Sequence, residues 1–452
     1  MTAAPPRPSQ SAIGPPLFTR MAAAVSRQRL TQPLGEISEI AGGRLVASGL
    51  AERARLGDRV EILGPAPVGA EVIRVVAGEV LLLPEGSAEG IGTGCPVRLM
   101  PPPAFAPDDS WIGRVIDPDG RPLDGRPLLP GAAPRPLSAA PPPPAERRAL
   151  GARMATGYAL FDTLLPLVRG QRVGLFAGSG VGKSTLLAGL AQGVAADVVV
   201  IGLVGERGRE LRHFVEGVLG PEGMARSVVV AATSDRAPQV RRRCALAATA
   251  VAEHFRAEGL QVLLLLDSVT RFAEAHRELA VSSGETAGLR GYPPSTGGAI
   301  AALCERAGPG VEEEGDITAI YSVLVAGSDM EEPVADMLRG VLDGHVVLDR
   351  AIAERGRFPA VDVLRSVSRS LPDAASPQEN QLIGEARGRL GAYDRAELMI
   401  QAGLYARGTD PEIDAAIATH EPLERFFARQ GADTGQHFAA LRQALAAAAQ
   451  GK

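Results

Sequence analysis

The chain has 452 residues, 45% of them apolar and only 4% aromatic, with a formal net charge of −5. That length predicts more than one domain, with cores of Leu, Val, Ala and Ile, and the negative balance argues against nucleic acid as the main partner. Cys95, Cys244 and Cys304 lie far apart and the six histidines do not cluster, so neither a disulfide framework nor a metal motif is evident. The odd cysteine count suits a reducing cytosol. No secretory signal opens the chain, and no apolar run approaches the ~18 residues of a membrane span. The expectation is a cytoplasmic protein whose membrane contact is peripheral.

Residues 1–30 are rich in Pro, Ala and Arg. Phe18 to Leu30 predicts either a short basic amphipathic docking helix or a flexible tail. Over 31–103, short segments rich in Val, Ile and Leu alternate with turn residues: Arg44–Ala47, Arg59–Leu63, Ala70–Val76, Glu79–Leu83 and Pro96–Leu99. This spacing predicts a small β-barrel or sandwich. Residues 104–150 read as a Pro-rich linker region, closed by Pro141 to Pro144.

From 151 to 374 near-continuous apolar strands alternate with helices. The predicted strands are Arg172–Ala177, Val198–Val204, Ser227–Ala231, Gln261–Asp267, Ile317–Val325 and Val346–Asp349. Such runs suit parallel strands covered on both faces, hence a doubly wound α/β domain. Over 375–452 the strands stop, and a helical domain is expected.

The first predicted strand runs into Gly178-Ser179-Gly180-Val181-Gly182-Lys183-Ser184-Thr185 and then a helix. Strand, glycine-rich turn, Gly-Lys-Ser and helix are what a phosphate-cradling P-loop requires. The glycines let successive N–H groups point at phosphate oxygens, and the helix N-terminus adds a positive dipole end. Lys183 is placed to reach the β- and γ-phosphates, and Ser184 to ligate Mg²⁺. Ala177 stands where the strict pattern has Gly.

A second acidic strand end is needed for Mg²⁺. Asp267 supplies it, emerging from Val262-Leu263-Leu264-Leu265-Leu266 where open α/β sheets bind ligands. Glu206 follows another apolar strand and is a candidate for activating water; a solvated helix-start Glu is the alternative.

Beyond these residues, GLFAGSGVGKST, VGERGRE, LLLLDSVTRFA, RGYPPS, VAGSDMEEPVAD, RGVLDGHVVLDR, RFPAVDVLRSVSR and YARGTDPEID occur in this order. Together they resemble the flagellum-specific type III export ATPase family, within the rotary ATP synthase group, over about residues 30–450. The segment Ser295-Thr296-Gly297-Gly298 departs from the family wording, which has an apolar residue and Phe after Pro-Pro-Ser.

The resemblance implies a multi-domain chain: an N-terminal β-barrel, a central RecA-like P-loop ATPase domain and a C-terminal α-helical domain. It implies ATP and Mg²⁺, with Glu206 activating the attacking water and Arg207 orienting the site. Phe358 corresponds to an aromatic against the adenine, and Tyr405 to the other side of that pocket. Arg369 corresponds to an arginine finger for the adjacent subunit; read alone it would be a surface salt bridge. One chain holding both the P-loop and the finger can close a ring of identical subunits, and the family forms hexamers.

The function implied is ATP-driven export of flagellar proteins at the inner-membrane export apparatus. The partners implied are the export gate, export chaperones with their substrates, and a stator-like regulatory protein at the N-terminus. A virulence injectisome ATPase shares the catalytic motifs. A hexameric RNA helicase of the transcription-termination type would need stacking aromatics in its barrel, and residues 33–100 contain no Phe, Tyr or Trp. A non-catalytic ring subunit would be expected to lack Glu206.

Overall fold

The computed structural model describes residues 31–102, 105–325, 330–431 and 433–450, together with Met21, Ala22 and Val25. The docking segment expected over 1–30 therefore lies, apart from those three, outside the described residues.

Six antiparallel strands close a barrel: β1 (Leu34–Ala41), β2 (Arg44–Ser48), β3 (Arg59–Ile62), β4 (Val68–Val76), β5 (Glu79–Pro84) and β6 (Pro96–Leu99), in the order β1-β2-β5-β4-β3-β6. Closure of β1 on β6 removes the free edges that an open sheet would expose. Alternate residues point inward. Leu45, Ala47, Val60, Ile62, Val80, Leu82 and Val97 are buried and pack into one cluster.

The central domain is built on nine strands: β7 (Arg114–Ile116), β8 (Arg172–Ala177), β9 (Val198–Glu206), β10 (Ser227–Thr233), β11 (Val262–Asp267), β12 (Gly308–Pro309), β13 (Asp316–Leu324), β14 (Gly344–Leu348) and β15 (Val361–Ser368). The order is β15-β14-β8-β13-β11-β9-β10-β7, with β12 beside β13. Strands β7 to β11, β13 and β14 run parallel; β15 lies antiparallel to β14, and β12 to β13. One face packs on the Pro238–Ala257, Val269–Ser283 and Ser295–Glu305 helices. The other packs on the Lys183–Gly193 helix and on the C-terminal helices.

The stretch expected as a linker carries structure of its own. Phe105 and Trp111 are buried edge-to-face, 5.4 Å between centroids, and join the core of the sheet. Strand β7 then adds in parallel to β10. Arg114 clamps Asp124 through Nε and Nη2 at 2.7 and 2.8 Å, fixing the turn that follows. The segment after Pro294, where the sequence departs from its relatives' pattern, is the opening turn of the Ser295–Glu305 helix.

Three helices follow: Pro377–Gln401, opened by a Ser376/Glu379 capping box, Pro411–Phe427, capped by Asp410, and Thr434–Gln450. Ile383, Leu390, Leu423, Phe427 and Leu441 belong to the same core cluster as the P-loop helix. A buried polar clasp adds to this. Asp162 accepts from the Thr156 N–H at 2.8 Å, the Thr156 hydroxyl at 2.7 Å and His437 Nδ1 at 3.0 Å. Among the described residues no helix is long and apolar enough to cross a membrane.

Candidate active site

Strand β8 ends at Ala177 and the helix begins at Lys183. Gly180 and Gly182 sit at φ +77° and +83°, which glycine adopts without cost. The turn therefore presents the open N–H groups of a helix N-terminus to an anion. Ala177 is fully buried and pairs with Leu324 and Leu348, so its methyl belongs to the core rather than to the cradle.

The Lys183 ammonium forms an ion pair with Asp267 at the end of β11. It lies 3.4 Å from Ser322 Oγ, which itself donates to Asp267 Oδ1 at 2.7 Å. Asp267 is 4% exposed, so these contacts hold a carboxylate that burial alone would penalise. Ser322 carried no sequence signal, because a lone Ser within an apolar strand has no distinguishing pattern. Ser184, exposed in the first helical turn, and the Asp267 carboxylate are hard oxygen donors of the kind Mg²⁺ takes. By the chemistry of that donor set the residues fit that ion.

Strand β9 ends at Glu206. Gly205, at φ +71°, opens a register shift against β10, and the shift re-aims the following side chain. Burial pushes the Glu206 carboxyl up to about 7; the Asp267 charge and a hydrogen bond with Glu210 add to the rise, and Lys183 opposes it. Such a value suits a general base working near neutrality. Arg207 is exposed and pairs with Glu210 Oε1 at 3.3 Å, so its charge meets Glu206 by way of Glu210.

Phe358 opens the turn into β15, whose first residue pairs with Leu348, itself paired with Ala177. It stands beside the P-loop: a Cβ added to Gly182 would meet Phe358 Cδ1 and Cε1 at 3.2 Å. The ring is 48% exposed, which leaves a face for a planar ligand. Tyr405 is held in its own turn, its hydroxyl donating within reach of the Asp410 carbonyl at 2.9 Å and Asp414 Oδ1 at 3.0 Å.

Arg369 lies at the opposite edge of the sheet. Because β15 is antiparallel, Ser368 pairs with Gly344, at the start of β14, while the P-loop leaves the far end of β8. The exposed Arg369 guanidinium donates to the Arg339 carbonyl at 3.3 Å. The sheet thus gathers Lys183, Asp267, Glu206 and Phe358 at its carboxyl edge and sends Arg369 away from them.

Residues 157–368 match the nucleotide-binding domain of the ATP synthase alpha/beta family, and residues 375–447 match the T3SS EscN ATPase C-terminal domain. The flagellum-specific ATP synthase of Caulobacter vibrioides is 44% identical over 416 residues, spanning 90% of this chain and 94% of that protein. The chain belongs to the flagellum-specific ATP synthase and type III secretion ATPase family. The type 3 secretion system ATPase of Pseudomonas syringae pv. syringae is 43% identical over 382 residues, 82% of this chain and 85% of that one. The assembled ATPase EscN of the enteropathogenic E. coli type III secretion system superposes with a TM-score of 0.84 at 36% identity, covering 91% of this chain and all of that one. The same ATPase in complex with its central stalk EscO gives 0.81 at 37% identity, with the same coverage.

Proposed function

We propose that this chain is the ATP-hydrolysing, homohexameric motor of a flagellar type III export apparatus, coupling hydrolysis to chaperone release, unfolding and export of flagellar proteins. The observation that carries the reading is the convergence of Lys183, Asp267 and Glu206 at one sheet edge behind a P-loop.

In this reading the P-loop amides and Lys183 hold the β- and γ-phosphates of ATP. Ser184 and Asp267 hold Mg²⁺, which neutralises phosphate charge when bound. Glu206, once ionised, orients the attacking water and takes its proton. Arg207 orients the site, meeting Glu206 by way of its ion pair with Glu210. Phe358 packs on the adenine, with Tyr405 on its other side. Arg369 serves the neighbouring subunit's phosphate, because the antiparallel strand carries it away from its own. Every interface of a head-to-tail ring then completes one site.

The complex of EscN with its central stalk EscO supports a stalk-like partner. A stator-like protein held by residues 1–30, the export gate, and chaperones with their cargo complete the expected set. The protein would work in the cytoplasm, peripherally attached to the inner-membrane apparatus.

The test is complementation. In a Caulobacter vibrioides strain lacking its flagellum-specific ATP synthase, this chain should restore swimming and the Glu206→Gln variant should not. The similarity to the Pseudomonas syringae ATPase favours injectisome export as the second reading. Rescue of injectisome secretion in a matching deletion strain, without rescue of swimming, would select it. A cooperative rise of ATPase rate with protein concentration should accompany either outcome.

A further inference from the structure

We propose that Arg357 is the positioning residue of the adenine platform, and that its ion pair with Glu424 ties the platform to the C-terminal helices. The inference rests on the reading of Phe358 as that platform.

Arg357 and Phe358 are neighbours pointing opposite ways. Gly356, at φ +82°, makes the turn that allows it. Phe358 stands out over the P-loop, while the Arg357 side chain turns inward and is only 9% exposed. Its guanidinium donates from Nη1 to the Pro359 carbonyl at 3.2 Å and from Nη2 to the Val361 carbonyl at 2.9 Å. Those two carbonyls lie just after Phe358 and lead into β15. Arg357 Nε is 2.9 Å from Glu424 Oε2, and the guanidinium carbon lies 5.4 Å from the Phe427 ring centroid.

Glu424 and Phe427 lie on the Pro411–Phe427 helix. Phe427 is buried in the core shared with the P-loop helix. One planar group therefore holds both the strand entry below the aromatic and the helix behind it. Only the fork of Arg meets two carbonyls and a carboxylate at once; a lysine ammonium presents a single point charge. The charge is buried and its partner anion lies on the other domain, so the two elements cannot separate without uncovering it. A cleft lined by Asp362, Tyr393 and His420 as well as by Arg357, Glu424 and Phe427 runs between the strand and the helices. The guanidinium bridges that cleft. A tilt of the C-terminal helices would thus be felt at Phe358.

The test compares two ligands on the full-length protein with Mg²⁺ present. ATP carries a base; inorganic tripolyphosphate carries only the phosphate chain. A displaced platform loses the base's stacking contact and should cost ATP affinity about tenfold. Arg357→Ala should weaken ATP by about that factor and leave tripolyphosphate affinity within about twofold. Glu424→Gln should weaken ATP by a smaller factor, about threefold, and Arg357→Lys should recover part of the loss. In steady state KM should rise more than kcat falls.

Equal weakening of both ligands by Arg357→Ala would make Arg357 a general structural prop and overturn the proposal. So would an unchanged ATP affinity. If Arg357→Ala fails to fold, Glu424→Gln decides, and no change in its ratio of ATP to tripolyphosphate affinity overturns the proposal. Phe358→Ala separates the two levels. If it leaves ATP affinity intact, the platform reading falls and takes the strut with it. If it weakens ATP while the Arg357 and Glu424 variants do not, the strut alone is wrong.

Discussion

The elevated carboxyl of Glu206 predicts a specific pH profile. As a base it works only when ionised. With its value pushed up to about 7, about a tenth of the free enzyme carries the carboxylate at pH 6 and about nine-tenths at pH 8, so kcat/KM should rise close to tenfold between them. A glutamate near its ordinary value would already be almost fully ionised at pH 6 and would give a flat profile. The assay is steady-state MgATP hydrolysis from about pH 5.5 to about pH 8.5, at constant ionic strength and a protein concentration that keeps the oligomer assembled. Stability should move the other way. A carboxyl whose folded value is raised contributes stability that is fully present below its unfolded value near 4.5 and is lost as pH rises through about 7. Glu206→Gln, which removes the buried charge, should therefore raise Tm relative to the parent at pH 8 and not at pH 4, while it binds ATP and loses turnover. A flat kcat/KM above pH 5.5 would refute the assignment of Glu206 as the titrating base.

Gly182→Ala should weaken ATP binding, because a Cβ there meets the Phe358 ring at 3.2 Å in a left-handed conformation costing roughly 1–2 kcal/mol; calorimetric affinity equal to the parent's would contradict the geometry. Asp162→Ala leaves the buried Thr156 and His437 donors without their acceptor and should cost about 2–4 kcal/mol in denaturant unfolding; a loss below about 1 kcal/mol would make the clasp incidental. Arg369→Ala should bind ATP yet lose about 10³-fold in turnover. Co-assembly with Lys183→Ala should restore part of the activity, since some interfaces then pair an intact P-loop with an intact finger, and normal turnover by assembled Arg369→Ala alone would remove the finger.

What was legible in the sequence was whatever announced itself locally. Strands β8 and β11 are unbroken apolar runs, and the P-loop occupies consecutive residues, so both appear where predicted. The strands that escaped are those where periodicity is broken or short. In β1 a register irregularity between Ile37 and Glu39 interrupts the alternation. Strand β7 has three residues and becomes a strand only by pairing with β10. Strand β15 mixes buried Val361 and Val363 with exposed Leu364 and Arg365, as a sheet edge does, and so lacked the continuous run that marked its neighbours. The site divides in the same way. Lys183 opens the helix after the P-loop and Asp267 closes β11, each with a pattern around it. Ser322 and Glu424 act through partners 55 and 67 residues away in the chain, respectively Asp267 and Arg357, and no spacing rule reaches that far.

Strand β15 has a consequence for the handedness of a closed ring. Its two ends, Val361 and Ser368, pair with Leu348 and Gly344, four residues apart on β14, so they stand about 13 Å from one another at roughly 3.3 Å per residue. Phe358 precedes one end and Arg369 follows the other, so on the proposed assignments one bulged strand would join the seat of one nucleotide to the finger for the next. Pairing with β14 holds both ends, and between Asp362 and Val367 the register breaks, where the Asp362 carboxylate accepts from the Leu364 and Arg365 N–H groups. A shift imposed where the base sits would then reach Arg369 by way of that bulge. In a head-to-tail ring every subunit would point this strand the same way round. The polarity of one strand would then give the ring its handedness, while the coupling between neighbouring sites stays reciprocal.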